Sequence, residues 1–305
     1  MLNRRQFVGA ASALCAGRIV SGPGSLVLAA DEPDEFTKSI AGQVGVTTSS
    51  LSGHLVSKPG KDQFSLLELP RILRDELDMK VIDLNTSAVA SYEPAYLEKV
   101  REAARDADCV LTNLKLNQKG LDMNSPDADV RKKALSEYKK SIEAASKLGC
   151  RWARPLPLQE TPDMTLHIAA YRELADFAAE RDMKMLVENY QWMESDPNSV
   201  VTLIRKAGHG IEACPDTGNW KDNDTRYAGL KATFPIAVSC DFKARAISAD
   251  GSHPLYDLKR CFTIGWEAGY RGPLCLEHAN ADRVTLFKEL ALLRDQLRGW
   301  MKKAA

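Results

Sequence analysis

The chain lacks an excess of charge of either sign: its 305 residues carry 41 basic and 41 acidic side chains. A nucleic-acid channel needs a basic stripe to neutralise phosphates, and none is visible, so that class of partner is set aside. No glycine-rich phosphate loop follows any strand-like segment, which disfavours an open, doubly wound nucleotide-binding sheet. Beyond the N-terminus, no run is long and apolar enough to span a bilayer. The seven cysteines are irregularly spaced, with no Cys-x-x-Cys. Four of them, Cys109, Cys214, Cys240 and Cys275, lie in strand-like apolar runs, where a small buried thiol is the ordinary reading. Mostly free thiols are therefore expected.

What is present begins with a leader. Asn3-Arg4-Arg5-Gln6-Phe7-Val8 is a twin-arginine pattern, followed by small and apolar residues from Phe7 to Cys15 and by Ser25-Leu26-Val27-Leu28-Ala29-Ala30. The segment reads as an export signal over residues 1–30, cleaved near Ala29 or Ala30, and implies a periplasmic protein that is not held in the membrane after cleavage. Leu14 immediately before Cys15 makes a poor lipoprotein site, so no lipid is expected. Cleavage removes Arg4, Arg5 and Arg18 and no acid, leaving 38 basic against 41 acidic residues. The expected partner is a small neutral or weakly charged molecule. Nothing in the sequence sets an oligomeric state.

After a polar linker over 31–40, strand-like and helix-like segments alternate to the end of the chain. Strands are expected at 44–47, 81–84, 109–116, 151–156, 185–190, 211–216, 236–243 and 273–277. Helices are expected at 64–77, 94–107, 127–148, 164–181, 199–207, 225–233, 255–268 and 283–302. Eight β/α pairs in one continuous domain over 41–305 predict a closed (β/α)8 TIM barrel, a fold of about 250 residues.

The last four strands each end on a carboxylate. Glu188 follows Met185-Leu186-Val187, Asp216 follows Ile211 to Pro215, Asp241 follows Ala237 to Cys240, and Glu277 follows Leu274-Cys275-Leu276. In a parallel barrel all four acids lie at one end of the sheet, where active sites sit. Converging carboxylates repel one another and need a cation or shared protons. Each acid taken alone is more simply a helix cap or a solvated loop residue. Their equivalent placement points to an oxygen-lined divalent metal site.

The strand-end segments are Glu188-Asn189, Asp216-Thr217-Gly218-Asn219, Asp241-Phe242-Lys243-Ala244 and Glu277-His278. They resemble the xylose isomerase-like barrel superfamily, which includes sugar-phosphate isomerases and epimerases and ketose 3-epimerases. The resemblance implies that Glu188, Asp216 and Glu277 are metal ligands and that Glu194 binds substrate. Asp241 stands where the family has histidine, and Ala244 where it has aspartate. With Asp241 as a ligand the site is all carboxylate, which favours Mg²⁺, Mn²⁺ or Ca²⁺ over Zn²⁺, with Mn²⁺ or Mg²⁺ the expected metal; otherwise the site is degenerate and binds metal weakly or not at all. The same comparison argues against a zinc nuclease, because the five histidines His54, His167, His209, His253 and His278 do not have its spacing.

The implied chemistry is proton transfer next to the carbonyl of a keto or aldo sugar, through an enediolate, with Glu188 and Glu277 exchanging the proton. Lys243, Asn219, Trp192, Trp220, Arg154, His54 and His253 are candidate substrate contacts, with Lys115 and Asn113 behind them. Two other functions are compatible with the sequence. One is an exported sugar-binding barrel that has lost catalysis. The other is a lyase or hydrolase acting on oxidised glycosides.

Overall fold

The computed structural model describes residues 34–156, 162–248 and 250–304. The expected leader and its cleavage site lie outside the described residues. A short helix, α1 (Glu35–Ile40), occupies most of the segment read as linker. Then come β1 (Val44–Thr47), α2 (Leu69–Leu77), β2 (Val81–Asn85), α3 (Pro94–Asp106), β3 (Val110–Leu116) and α4 (Ala128–Leu148). They are followed by β4 (Trp152–Pro155), α5 (Met164–Ala179), β5 (Lys184–Val187), α6 (Ser199–Ala207) and β6 (Glu212–Ala213). The chain ends with α7 (Asn223–Thr233), β7 (Cys240–Lys243), α8 (Leu258–Glu267), β8 (Leu274–Glu277) and α9 (Arg283–Ala304).

The eight strands are parallel and ordered β6-β5-β4-β3-β2-β1-β8-β7. The remaining seam, between β6 and β7, is closed by the parallel bridges Ala213↔Ala237 and Asp216↔Asp241. Across it Asp241 N donates to Pro215 O and Thr217 N to Asp241 O, both at 3.0 Å. The fold is the single-domain (β/α)8 barrel that the alternation predicts. Several expected boundaries move: β5 ends at Val187 and not at 190, β7 starts at Cys240 and not at 236, α8 starts at Leu258 and not at 255, and two further shifts have a local cause. β6 stops at Ala213, short of Pro215, which has no N–H for a ladder. α2 starts at Leu69 because Phe64 is held by backbone bonds to His54 and Val56, and Glu68 caps Ser65 N at 2.8 Å.

The pleat explains what fills the barrel. Val81, Trp152, Leu186, Cys214 and Cys275 form one buried cluster with Ile40 of α1. They stand two residues before Asp83, Arg154, Glu188, Asp216 and Glu277, and therefore on the same face of their strands. An apolar layer thus floors a polar layer above it. Gly45, two residues before Thr47, belongs to the lower layer, where a Cβ would lie 2.5 Å from Val81 O. From below, Phe36 of α1 meets Trp152 edge-on at 5.3 Å. A much larger apolar cluster, including Leu73, Leu97, Tyr138, Tyr171, Leu203 and Leu290, packs helices against the outer strand faces. A cavity of about 360 Å³ lies at the α1 end, lined by residues such as Ile40, Trp152 and Phe234 and by none of the four strand-end acids.

Candidate metal centre at the mouth of the barrel

Glu188, Asp216 and Asp241 each bring a carboxylate oxygen within 4.8 Å of the other two, and all three are buried. The local sequence fixes each one. Asn189, fully buried beside Glu188, straps β5 to the turn after β6. Its Oδ1 accepts from Asp216 N at 2.8 Å, and its Nδ2 donates to Asp216 O at 3.0 Å and Asn219 O at 2.9 Å. The Asp-Thr-Gly-Asn turn then folds back on its own acid: Asp216 Oδ1 accepts from Gly218 N at 2.6 Å and Asn219 N at 2.9 Å. Asn219 Nδ2 donates to Glu188 Oε1 at 3.0 Å. Asp241 is held from across the barrel by Lys115 of β3, whose Nζ donates to its Oδ1 at 2.6 Å and to Thr47 Oγ1 at 3.1 Å.

Glu277, the fourth strand-end acid, stands apart from this triad. Lys243 Nζ lies 2.7 Å from Glu277 Oε1, 3.3 Å from Asp216 Oδ2 and 3.0 Å from Asn219 Oδ1. Lys115 Nζ is 3.9 Å from Glu277 Oε2 and 3.7 Å from Asp83 Oδ2. Arg154 Nε lies 2.8 Å from Glu188 Oε2 but out of line for a hydrogen bond. Around the barrel mouth, five carboxylates (Asp83, Glu188, Asp216, Asp241, Glu277) therefore face three cations (Lys115, Arg154, Lys243). The excess of two negative charges equals one divalent cation or two protons.

The electrostatics show where protons would go. Burial, opposed by Arg154 and reinforced by Asp241, raises Glu188 well above the usual carboxylate range. Burial lifts Asp83 to about 7 against the pull of Lys115, and Asp216 to about 6 against that of Lys243. At Asp241 burial acts in the same sense, but Lys115 and Arg154 outweigh it and the pKa falls. The donor set fits a divalent cation: Glu188 Oε2 and Asp241 Oδ2 are buried with no hydrogen-bond partner, and all three side chains offer hard oxygen.

The match of a whole-domain pattern decides the family: that of the xylose isomerase-like TIM barrels covers residues 76–304. The chain belongs to that family. Solved structures share the barrel at low identity. A xylose isomerase-like TIM barrel protein from Mycobacterium smegmatis, in complex with magnesium, has a TM-score of 0.63 at 16% identity over 88% of this chain and 98% of its own. D-psicose 3-epimerase with D-tagatose, from Clostridium cellulolyticum H10, gives 0.64 at 12% over 86% and 98%. The 3-keto-D-glucoside 4-epimerase of E. coli, in its apo form, gives 0.63 at 14% over 84% and 99%. At such identities the likeness is one of fold. A comparison with curated protein sequences finds no match.

Within this family member the other expected contacts divide. Arg154, Asn219 and Lys243 touch the acids, as described above. Glu194 accepts from Gln191 N at 3.1 Å and so closes the turn after β5. Trp220 is buried in contact with Gly229 of α7, and Trp192 packs edge-on to His167 at 5.8 Å; these contacts are with the protein itself. His54 bonds Asn280 O at 3.1 Å. His253 Nε2 accepts from Arg245 N at 3.0 Å in the loop after β7. His278 joins Ala244 O and Glu289, both at 2.8 Å, and His209 joins Asp176 at 2.6 Å. Asn113 is fully buried, its side chain beside the Asp83 carboxylate. Sequence reasoning missed Asp83, which lies fully buried in the same layer, with Lys115 Nζ 3.7 Å from its Oδ2. The signal was available, because Asp83 also follows a short apolar run, Val81-Ile82.

Proposed function

We propose that this chain is a divalent-metal-dependent isomerase or epimerase acting on a keto or aldo sugar or a derivative of one. The observation that carries the reading is the buried triad Glu188–Asp216–Asp241, with Glu188 Oε2 and Asp241 Oδ2 free of hydrogen bonds, at the strand ends of a xylose isomerase-like barrel. Glu188, Asp216 and Asp241 would hold the cation, with Mn²⁺ or Mg²⁺ preferred to Zn²⁺ because every donor is a carboxylate. The cation supplies a Lewis acid for neighbouring oxygens of the sugar. Glu277, with a side chain 21% exposed, is the most open acid of the cluster and would take the proton from the carbon next to the carbonyl. The electron pair of that C–H bond becomes the new C=C bond and the carbonyl π pair moves to its oxygen, which gives an enediolate. Burial opposes the charge on Lys243, but Asp216 and Glu277 outweigh it, so the ammonium persists and orients Glu277. Glu188, across the triad, returns a proton to the opposite face of the same carbon or to its neighbour.

Support for a sugar comes from the family and from the D-tagatose and 3-keto-D-glucoside relatives that share the barrel. The test is proton exchange. The protein, loaded with Mn²⁺, is incubated in D₂O with ketoses and with 3-keto-glycosides, and loss of the α-proton is followed by NMR. Exchange is expected only with metal and is expected to vanish in Glu277→Gln. Exchange that survives chelation, or is unchanged in that variant, would sink the assignment. Cleavage of the glycoside in place of epimerisation would favour the lyase or hydrolase reading. One observation favours a non-catalytic sugar-binding barrel: Lys115 and Lys243 already engage Asp241 and Glu277 at 2.6 and 2.7 Å. Calorimetric binding of a ketose without exchange under any metal would establish it.

A further inference from the structure

The three acids of the triad share a feature beyond their proximity. Each has one oxygen tied to a protein donor; the other faces a cation in Glu188 (Arg154 Nε at 2.8 Å) and Asp216 (Lys243 Nζ at 3.3 Å) and is without a hydrogen-bond partner in Asp241. Glu188 Oε1 accepts from Asn219 Nδ2 at 3.0 Å, and Oε2 has no hydrogen-bond partner. Asp216 Oδ1 accepts from two backbone N–H groups, while Oδ2 has only Lys243 at 3.3 Å. Asp241 Oδ1 accepts from Lys115 at 2.6 Å, and Oδ2 is free of hydrogen bonds. Lys115 is itself 1% exposed and already engaged with Asp241 and Thr47. It is therefore out of reach of a substrate, and its shortest contact with the acids is the one to Asp241, ahead of Asp83 at 3.7 Å and Glu277 at 3.9 Å.

We propose that Lys115 is a selectivity-setting residue: by occupying Asp241 Oδ1 it restricts Asp241 to a single ligand oxygen and so biases the centre toward small divalent ions and against Ca²⁺. Ca²⁺ takes a larger number of oxygens and uses carboxylates in both one- and two-oxygen modes. Mg²⁺ demands few ligands in strict geometry and keeps several waters. A set of clamped carboxylates, each offering one oxygen, suits the second kind of ion. Lys115 also repels any cation, but Mn²⁺ and Ca²⁺ carry the same charge, so that repulsion cancels in the ratio of their affinities. The ratio therefore responds to the clamp more than to that repulsion.

The inference rests on the metal reading above, and titration calorimetry with Mn²⁺ and Ca²⁺ separates the two. The wild-type protein is expected to bind Mn²⁺ the more tightly, and Lys115→Met to shrink the Mn²⁺/Ca²⁺ affinity ratio by about tenfold, the scale of outer-shell effects on metal sites. If the wild type binds neither ion, both the metal reading and this inference fall. If it binds but the ratio in Lys115→Met is unchanged, only the inference falls, and Lys115 acts as a charge and nothing more. Should Lys115→Met not fold, a crystal of the wild type grown with Mn²⁺ decides: one Asp241 oxygen on the ion upholds the clamp, and both oxygens on it overturn the clamp.

Discussion

At the scale of the residue, Asp241 and Lys115 belong together. Where the resemblance implies a histidine this chain carries an acid, and a buried lysine on β3 donates to that acid at 2.6 Å. A histidine at 241 would set an imidazole against the same ammonium. Asp241→Ala is therefore expected to lower Mn²⁺ affinity by about a hundredfold, through loss of one charged oxygen of three. Asp241→His is expected to gain Zn²⁺ binding only when Lys115→Met accompanies it, since imidazole suits Zn²⁺ but not next to a fixed positive charge. Calorimetry on the three variants with both ions checks this; Zn²⁺ binding by Asp241→His alone would refute the pairing. A second residue-scale effect lies away from the acids. His167 of α5 is fully buried, with Nδ1 on Asn124 Oδ1, and burial depresses its pKa from 6.5 to about 4. The folded state therefore holds it neutral where the unfolded chain takes a proton. Its contribution to stability is complete above the unfolded pKa and is lost as pH falls from 6.5 toward 4. The loss should reach about 2 kcal/mol at pH 5. The raised pKa values of Asp83 and Asp216 act in the opposite sense, so the measurement is a difference: urea unfolding at pH 7.5 and pH 5, wild type against His167→Gln. The variant should lose less stability on acidification, and equal losses would show that His167 is not buried neutral.

At the scale of the element, the joint between β5 and β6 is where the sequence was least explicit and the structure most so. The alternation located every strand and helix of the barrel, because apolar periodicity reports burial of one face and survives small changes of boundary. It could not show that β6 shrinks to Glu212–Ala213, since that depends on Pro215 and on where the seam to β7 can be bonded. Nor could it show that Asn189, read only as half of a Glu-Asn pair, replaces the missing ladder with three side-chain bonds to the turn that carries Asp216. The four strand-end acids were legible because position in a β/α repeat is a property of sequence. Their partners were not, because Lys115 to Asp241 spans 126 residues and is fixed only when the barrel closes. Asn189→Ala would strand an N–H and two carbonyls in the interior. It is expected to cost about 3 kcal/mol or more in urea unfolding, and to weaken Mn²⁺ binding as well because the Asp216 turn loosens. Near-neutral stability would show that the turn is held by its own backbone bonds instead.

At the scale of the whole molecule, the barrel and the proposed route of export bear on each other. Among the described residues Cys109, Cys150, Cys214, Cys240, Cys261 and Cys275 are all free and all buried, as the strand placement of most of them led one to expect. Burial raises the thiol pKa in each, to about 11 at Cys109 and about 12 at Cys261, so little reactive thiolate forms. A chain carried through the membrane unfolded would expose six thiols to an oxidising compartment, where mispairing competes with folding. A chain that folds first and is exported folded would meet that compartment with its thiols already closed into the core. We therefore propose the twin-arginine route on two grounds: the Asn3-Arg4-Arg5-Gln6-Phe7 pattern and a core whose cysteines are kept apart from solvent. Replacing Arg4 and Arg5 with Lys should leave the precursor in the cytoplasm, as read by fractionation. The exported wild type should titrate six thiols with a thiol reagent in denaturant and almost none when native. Export unaffected by the lysine pair would place the leader on the general secretory route. Fewer than six thiols in denaturant would mean that disulfides form after the barrel unfolds or before it closes, and the argument from the buried core would fail with it.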